Sequence, residues 1–170
     1  VAPLLIPGLL QTNSYIRSIM SAGGVPSGEV ATRAAIRIGR KDVITRDRPV
    51  TFIALMCTQA LTHIIGDRRI MVEQLHHLCE IARRDNVTVR LIRPDSGWHP
   101  ALEGQFYLIE FEDSTPLIHL ENRRSGLFLH KSDDVGAYQI AVDNLRKVSL
   151  SEIDSLKLIN DISNRMEKSA

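Results

Sequence analysis

One stretch decides the fold: residues 70–121, with the sequence IMVEQLHHLCEIARRDNVTVRLIRPDSGWHPALEGQFYLIEFEDSTPLIHLE. Its first part carries apolar residues three and four positions apart, a spacing that places them on one face of a helix. These residues are Ile70, Met71, Leu75, Leu78, Cys79 and Ala82. Residues 87–92 then alternate apolar and polar side chains and are rich in β-branched types, which predicts a strand directly after the helix.

A β-hairpin is predicted after the loop that follows this strand. Residues 105–111 and 117–121 are both rich in apolar and aromatic side chains, and a short polar connector separates them. Two such runs joined by a tight polar turn are typical of antiparallel neighbours. Residues 127–129 are expected to add a third strand.

The segments before and after the hairpin in the sequence are predicted to be mostly helical. Residues from Ser27 or Gly28 to about Arg46 predict one long helix, and the apolar run 50–56 predicts an interior strand. Near the C-terminus, Ser149 and Glu152 have the spacing of a capping box. The sequence therefore predicts an α+β fold, in which helices flank a small, largely antiparallel central sheet.

Composition narrows the class of protein. The chain has 170 residues, a formal net charge of +1 and two cysteines. This length fits a single domain over residues 1–170, and the near-zero charge argues against a whole surface that binds nucleic acid. Cys57 and Cys79 lie in apolar segments, as reduced thiols of a cytoplasmic protein do. No apolar run reaches the roughly eighteen residues of a membrane span, so no membrane contact is expected.

The loop at residues 95–104 contains the single tryptophan of the chain and two glycines. Folded over the sheet, Trp98 could stack on a planar ligand or a partner side chain, and His99 could exchange a proton. Glu103 and Glu121 could bind a positive group or act as a base. The alternative, favoured for Trp98, is that its ring packs as a lid on the end of the sheet while His99 is a partly exposed loop residue.

A basic face is predicted on the long helix, where Arg33, Arg37 and Arg40 fall on one side. Such a stripe is usually solvated, and otherwise binds phosphate or acidic groups.

His76, Cys79 and Glu80 have helical spacings that metal ligands can use. No second ligand cluster accompanies them, and the chain has no phosphate-binding loop, nucleophile elbow or dinucleotide fingerprint. The sequence therefore predicts no metal and no cofactor. It also contains no helix-turn-helix segment of its own.

Several phrases of the sequence together resemble one family. They are Ile6-Pro7-Gly8-Leu9-Leu10-Gln11-Thr12, the arginine-rich helix from Arg33 to Arg40, Ile65-Gly66 followed by Met71, Gln74, Leu75 and Leu78, then Asn86-Val87-Thr88-Val89, Gly97 and His99 with Gly104 and Phe106, His119-Leu120-Glu121, and Ser149-Leu150-Ser151 with Ser155. Their order over essentially the whole chain resembles the C-terminal domain of unknown function that follows an Xre-type helix-turn-helix head in actinobacterial transcription regulators.

This resemblance implies that a DNA-binding head precedes Val1 and that the present domain senses, dimerises or holds a partner. Relatives are antitoxin-like and are often encoded beside a small companion protein. Two positions depart from the family pattern: Thr58 and its neighbours replace an acidic residue expected after the interior strand, and His119 replaces a usual aromatic. If that acid belongs to the family's binding site, a positive ligand is held less well here.

These observations lead to one functional prediction and two rivals. We expect a non-enzymatic domain, in a homodimer, that binds an unknown small molecule or a small companion protein and touches DNA only through the missing head. The expected binding residues are Trp98, His99, Glu103, Phe106, His119 and Glu121. One rival is an enzyme in which a histidine of this set works with a carboxylate as acid and base. The other is a pure dimerisation scaffold with a broad apolar patch and no pocket.

Overall fold

Helices and strands alternate unevenly along the chain in the computed structural model, which describes residues 1–168; residues 169 and 170 of the predicted domain lie outside the described residues. The helices are α1 (Asn13–Ala22), α2 (Ser27–Gly39), α3 (Asp42–Thr45), α4 (Gln59–Thr62), α5 (Arg68–Ile81), α6 (Ser132–Val148) and α7 (Glu152–Lys168), with 3₁₀ helices at Gly8–Leu10 and Pro100–Glu103. The strands are β1 (Phe52–Cys57), β2 (Val87–Ile92), β3 (Tyr107–Ile109), β4 (Leu117–Glu121) and β5 (Gly126–Leu129). The α+β prediction is confirmed. Among residues 1–168, no helix combines the length and the apolar character needed to cross a bilayer.

β1 and β2 form a two-stranded parallel sheet that is in register along its whole length. α4 and α5 make the crossover between the two strands. Asp67 begins α5, because its carboxylate accepts a hydrogen bond from the backbone N–H of Ile70 at 2.8 Å. The apolar stripe of α5 and residues of α7 pack with the strands in a large cluster of buried side chains, which includes Leu75, Leu78 and Ile159. This cluster is the main core of the molecule.

Other segments of the chain bond to part of each edge of the parallel sheet. Beside β1, the N–H of Ala2 donates to the carbonyl of Leu55 at 2.9 Å, and the carbonyl of Ala2 accepts from Cys57 at 3.3 Å. Beside β2, the N–H of Leu150 donates to the carbonyl of Leu91 at 2.8 Å, and the N–H of Leu91 donates to the Ser155 hydroxyl at 2.9 Å. These contacts satisfy outward backbone groups of Leu55 and Cys57 on β1 and of Leu91 on β2 within the chain.

One arginine joins the end of α6 to this sheet. The Arg90 guanidinium, on β2, donates to the carbonyls of Arg146 at 2.9 Å, Ser149 at 3.2 Å and Leu150 at 2.9 Å. These acceptors lie at or just beyond the last turn of α6, where helical carbonyls lack partners within the helix. The cation therefore fixes the corner between α6 and α7 against β2.

A buried glutamine ties the N-terminal segment to α5. The Oε1 of Gln74 accepts from the N–H of Thr12 at 2.7 Å, and its Nε2 donates to the carbonyl of Leu10 at 2.8 Å. Thr12 in turn begins α1 by accepting from the N–H of Tyr15 at 3.3 Å. Gln74 is fully buried, and both the oxygen and the nitrogen of its side-chain amide have hydrogen-bond partners. Gln74 and the Leu10-to-Thr12 segment, which both carry the family resemblance, thus have a structural role.

β3, β4 and β5 form a separate antiparallel sheet, with β4 in the middle. On its inner face, Leu108, Ile118 and Leu129 lie opposite one another and pack with residues of α6, among them Val135 and Leu145, in a second buried cluster. Side chains alternate along a strand, so the residues between them lie on the outer face.

The structure differs from the prediction in two connections. The strands divide into two sheets instead of one central sheet, because β1 and β2 pair only with each other and with Ala2 among the described residues. The helix that begins at Ser27 ends at Gly39 instead of near Arg46. The chain then turns and directs Ile44 into the core, and Lys41 Nζ lies 3.2 Å from His77 Nε2.

Candidate functional site

The candidate site begins at the loop between β2 and β3. Pro100 lies at the start of the 3₁₀ helix Pro100–Glu103, where its missing N–H leaves no helical bond unmade. The helix ends at Gly104, which has a φ of +134°. L-residues rarely adopt this backbone conformation, so glycine is required for the turn into β3. The turn brings Glu103 and Phe106 to the same end of the antiparallel sheet.

A cavity of about 260 Å³ lies at this end of the sheet. Its walls come from the continuous segment between the 3₁₀ helix and β3, from the end of β4, and from the middle of α6. The lining residues are Pro100, Glu103, Gly104, Gln105, Phe106, Leu120, Glu121, Asn122, Tyr138 and Ala141. Three separate segments of the chain therefore meet around one space.

Two carboxylates give the cavity an acidic character. Within residues 1–168, neither Glu103 nor Glu121 makes a side-chain hydrogen bond or an ion pair, and no lysine or arginine lines the cavity. Phe106 and Tyr138 form an aromatic wall, with ring centroids 4.8 Å apart and edge-to-face geometry. A cation in this space would meet two negative charges and two ring systems, both of which attract it.

The side-chain amide of Gln105 makes a hydrogen bond across the mouth of the cavity. Its Nε2 donates to the backbone carbonyl of Glu121 at 3.1 Å, which ties the start of β3 to the end of β4. Gln105, Asn122 and Tyr138 were not among the predicted site residues. The sequence carried a signal only for Tyr138, because it lies on the apolar side of the α6 segment, and that signal equally fits a core residue.

Three of the six predicted residues line the cavity: Glu103, Phe106 and Glu121. Trp98 and His99 do not, although they directly precede the 3₁₀ helix. Trp98 is 70% exposed, so the interpretation of its ring as a packed lid is wrong.

His99 is only 5% exposed, which contradicts the interpretation of a partly exposed loop residue. Its carbonyl accepts from the N–H of Leu102 at 3.0 Å and so helps to begin the 3₁₀ helix. Its Nδ1 has no hydrogen-bond partner within the described part of the chain. The imidazole is thus buried beside the cavity without lining it.

His119 belongs to an aromatic ladder on the outer face of the antiparallel sheet. Its ring stacks on Tyr107 at 5.8 Å and on Phe128 at 4.4 Å between centroids. Burial, followed by the nearby Glu121 carboxylate, raises the pKa of Tyr107, and the Arg37 cation opposes this shift. His119 is therefore held as a stacking element between two rings.

The predicted acid–base pairs are not formed. Among residues 1–168, no hydrogen bond or ion pair joins His99 or His119 to Glu103 or Glu121. The cavity thus offers carboxylates without a histidine partner, an arrangement suited to binding a cation more than to moving a proton.

The predicted basic face does not present three free cations. Arg33 pairs with Glu29 on its own helix at 2.6 Å, and Arg37 donates to the Oε1 of Gln11 at 3.4 Å. Arg40 is exposed at the end of α2. Arg37 thus contributes to holding the N-terminal segment.

Two of the three α5 residues that have metal-ligand spacing make other contacts. His76 Nε2 lies 3.2 Å from a carboxylate oxygen of Glu167, and the Cys79 thiol donates to Asn160 at 3.5 Å. Over the described residues, no group of three or more histidine, cysteine, aspartate or glutamate side chains is placed to hold a metal ion.

A second cavity, of about 620 Å³, opens where β1 and β2 end. Ligands of parallel sheets typically bind at this end of the strands. Its lining residues are Thr58, Thr62, Arg93, Pro94, Leu150, Asp154, Lys157, Leu158, Asp161, Ile162 and Arg165. Thr58, the position where the resemblance led us to expect an acid, therefore faces this mixed-charge cavity and not the acidic one.

Comparison with known proteins places the chain in a family. A model of the family described as "Domain of unknown function (DUF5753)" matches residues 1–161, and the chain therefore belongs to this family. No curated protein and no solved structure matches it.

Proposed function

We propose that this member of the DUF5753 family is the sensing domain of an Xre-type helix-turn-helix regulator, and that its acidic cavity binds a cationic effector or a basic side chain of a partner protein. The regulator context rests on the ordered sequence phrases that resemble the C-terminal domains of such actinobacterial proteins. The nature of the ligand rests on Glu103 and Glu121, two unpaired carboxylates beside an aromatic wall. In this proposal, binding controls how an upstream head contacts DNA.

The construction of the cavity supports a sensing role. The 3₁₀ helix, the strand ends and α6 each supply part of the wall, so a ligand between them favours one relative placement of these segments. A ligand can shift an equilibrium only by the difference in its affinity for two arrangements. A cation bound to both Glu103 and Glu121 would stabilise the arrangement in which the two carboxylates lie closest together, and so select it.

The test uses the full-length protein with its head. Agmatine and spermidine serve as probes in calorimetry, and operator binding is measured with and without them. We expect the double variant Glu103→Gln and Glu121→Gln to weaken probe binding by roughly tenfold or more, because it removes both charges at nearly constant shape. Its operator affinity should no longer respond to the probe.

A matched variant controls for overall charge. Glu110 and Glu112 are exposed, lie outside the cavity and can be changed to glutamine with the same loss of two charges. This control should bind the probes as the unmodified protein does. Equal binding by the cavity variant, or an equal loss in the control, would contradict the cationic site.

A companion protein is the second form of the same proposal, and the exposed loop favours it. Trp98 is 70% and Leu102 59% exposed, so two apolar side chains stand beside the acidic cavity. Exposed aromatic residues of this kind often anchor protein partners. Trp98→Ala should then weaken binding of the companion while leaving agmatine binding unchanged. If operator affinity, probe response and companion binding are all unaltered, the loop has no part in recognition.

A further inference from the structure

The larger cavity, of about 620 Å³, lies where β1 and β2 end and shares no lining residue with the acidic cavity. Residues that directly follow the two strands form one wall: Thr58 after β1, and Arg93 with Pro94 after β2. Residues of α7 form another wall. Ligands of parallel sheets typically bind beyond the carboxyl ends of the strands, and this volume is usual for a small-molecule site. The position and the size of the cavity therefore fit a ligand.

Thr58 is a buried residue of this cavity whose hydroxyl has no hydrogen-bond partner. Only 8% of the residue is exposed. Its backbone is fully used, because its N–H donates to the carbonyl of Ile92 at 3.0 Å and its carbonyl accepts from the N–H of Leu61 at 3.0 Å. In contrast, no hydrogen bond among residues 1–168 includes its side chain. Buried polar groups are usually paired, so the hydroxyl can serve a ligand as donor and acceptor.

Charged and apolar side chains are interspersed along the part of α7 that lines the cavity. Leu158 and Ile162 supply its apolar surface. The charged lining residues of this helix are Asp154, Lys157, Asp161 and Arg165. From the first to the last, they extend over about 16 Å of helix axis. Together with Arg93, they give the cavity three cations and two carboxylates beside its apolar surface.

One of the two carboxylates is already bound within the chain. Asp154 accepts a hydrogen bond from the Ser151 hydroxyl at 2.7 Å and another from the Lys157 ammonium group at 3.4 Å. The hydrogen bond from Ser151 and then that from Lys157 lower the pKa of Asp154. This carboxylate is therefore stabilised as an anion without any ligand.

The other carboxylate and one guanidinium keep capacity for a ligand. Within the described part of the chain, the Asp161 side chain makes no hydrogen bond and no ion pair. Arg93 donates to the two carboxylate oxygens of Asp95 at 2.9 and 2.6 Å. A guanidinium has five N–H groups, so further donors of Arg93 remain for a second acceptor. The cavity thus offers donors after the strands and an acceptor on α7.

We propose that this cavity binds a zwitterion with an apolar body, either a free apolar amino acid or a short apolar peptide with free termini. The Thr58 hydroxyl and the remaining N–H groups of Arg93 bind the carboxylate of the ligand. Asp161 binds its ammonium group, and Leu158 and Ile162 contact its apolar part. A ligand of one charge alone would meet a like charge without compensation. This inference does not rest on the cationic ligand of the acidic cavity.

Calorimetry with four probes tests the ligand class. L-leucine and leucyl-leucine carry both charges, isocaproate lacks the ammonium group and isoamylamine lacks the carboxylate. We expect a zwitterion to bind roughly fivefold more tightly than either singly charged probe. Tighter binding of leucyl-leucine would identify the peptide as the ligand, and tighter binding of L-leucine the amino acid. Equal affinity for a singly charged probe, or no binding of either zwitterion, would refute the proposal.

A variant of the acidic cavity separates the two sites. Isoamylamine is a cation and can also bind between Glu103 and Glu121, so each titration is repeated in the double variant Glu103→Gln and Glu121→Gln. Binding of the zwitterions should be unchanged in this variant, because the two cavities have no lining residue in common. Loss of zwitterion binding there would assign it to the acidic cavity and refute the present site.

Substitutions at two positions test the assigned contacts. Thr58→Val replaces the hydroxyl with a methyl group and should weaken zwitterion binding roughly tenfold, whereas Thr58→Ser keeps the hydroxyl and should bind nearly as the unmodified chain does. Asp161→Asn should weaken zwitterion binding roughly fivefold, because the ammonium group loses its counter-charge. It should not weaken binding of isocaproate, which has no ammonium group.

Matched control changes lie in the connection between β3 and β4. Thr115→Val and Asp113→Asn remove the same groups from exposed residues outside the cavity. Both controls should bind the zwitterions as the unmodified chain does. Full binding in Thr58→Val or Asp161→Asn, or an equal loss in the controls, would overturn the proposed contacts.

Discussion

In the parallel sheet, Ala2 beside β1 and Leu150 with Ser155 beside β2 bond part of each edge, whereas among residues 1–168 no segment pairs with the outer edge of β5. The first sheet lies in the main core with α5 and α7, while the second is packed on its inner face by α6 and exposes aromatic rings on the other. The acidic cavity lies at the end of the second sheet. The main core and the proposed binding site therefore occupy different regions of one chain, as is common when binding groups lie on less protected segments.

The largest expected contrast between the regions is in side-chain burial. Leu78 on α5 is fully buried, whereas Leu127 on β5 is 54% exposed. Leu78→Ala should lower the free energy of unfolding by about 2–5 kcal/mol, because it removes buried methyl groups and leaves a cavity. Leu127→Ala should change it by less than about 0.5 kcal/mol. Urea unfolding followed by circular dichroism, at a dilution where the chain is monomeric, measures both. Equal losses would show that the two regions do not differ in packing.

A smaller contrast in the free energy of unfolding is expected between a buried and an exposed glutamine. Gln74→Ala should lower the free energy of unfolding by about 2–3 kcal/mol, because it leaves the N–H of Thr12 and the carbonyl of Leu10 buried without partners. Gln139→Ala, at an exposed position on α6, is the matched control and should have an effect below about 0.5 kcal/mol. The same urea titration serves here, and a near-neutral Gln74 variant would refute the anchoring of the N-terminal segment.

The smallest expected effect is on the way the free energy of unfolding depends on pH. Burial and then the Lys41 cation lower the pKa of His77, and the carboxylates of Glu80 and Glu73 only partly oppose this. The unfolded chain, with a histidine pKa of about 6.5, therefore takes up a proton before the folded chain does. Stability contributed by neutral His77 is present above this pH and is lost as pH falls from about 6.5 toward the lower folded value.

The variant His77→Asn should flatten the pH dependence of the unfolding free energy by a fraction of one proton. Unfolding is measured at several pH values between about 7.5 and 5.5, a window set by the reference histidine pKa. His63→Asn removes an exposed histidine that makes no contact with Lys41 and is the control for losing one histidine. A steeper slope in the His77 variant would reverse the sign of the inferred shift.

Much of the secondary structure followed from local patterns. The α5 stripe and strand β2 matched the prediction, because helical and strand periodicities are local properties. The cap before α7 was displaced: the N–H of Asp154 donates to the Ser151 hydroxyl at 3.1 Å, whereas the capping box was predicted at Ser149 and Glu152. Several serines near a helix start can each serve as a cap, and spacing alone does not choose among them.

Local patterns could not predict how the strands divide between two sheets or which residues line the cavity. Pairing of β1 with β2 joins segments thirty-five residues apart, and no turn between them reports it. The exposure of Trp98 depends on the path of the loop, and the burial of His99 does as well. Aromatic residues usually pack in cores, so the general rule favoured the wrong interpretation. Glu103 and Glu121 both line the cavity, and their role as binding residues stays a prediction.

Arg90 holds the end of α6 against β2, because its guanidinium donates to carbonyls in and just beyond the last turn of that helix. Val135 and Leu145, near its two ends, pack α6 on the antiparallel sheet, and Tyr138, between them, forms part of the cavity wall. α6 therefore joins the cavity to the parallel sheet through Arg90. A ligand that displaced Tyr138 would act on that junction, and by reciprocity a change at the junction would alter ligand affinity by the same factor.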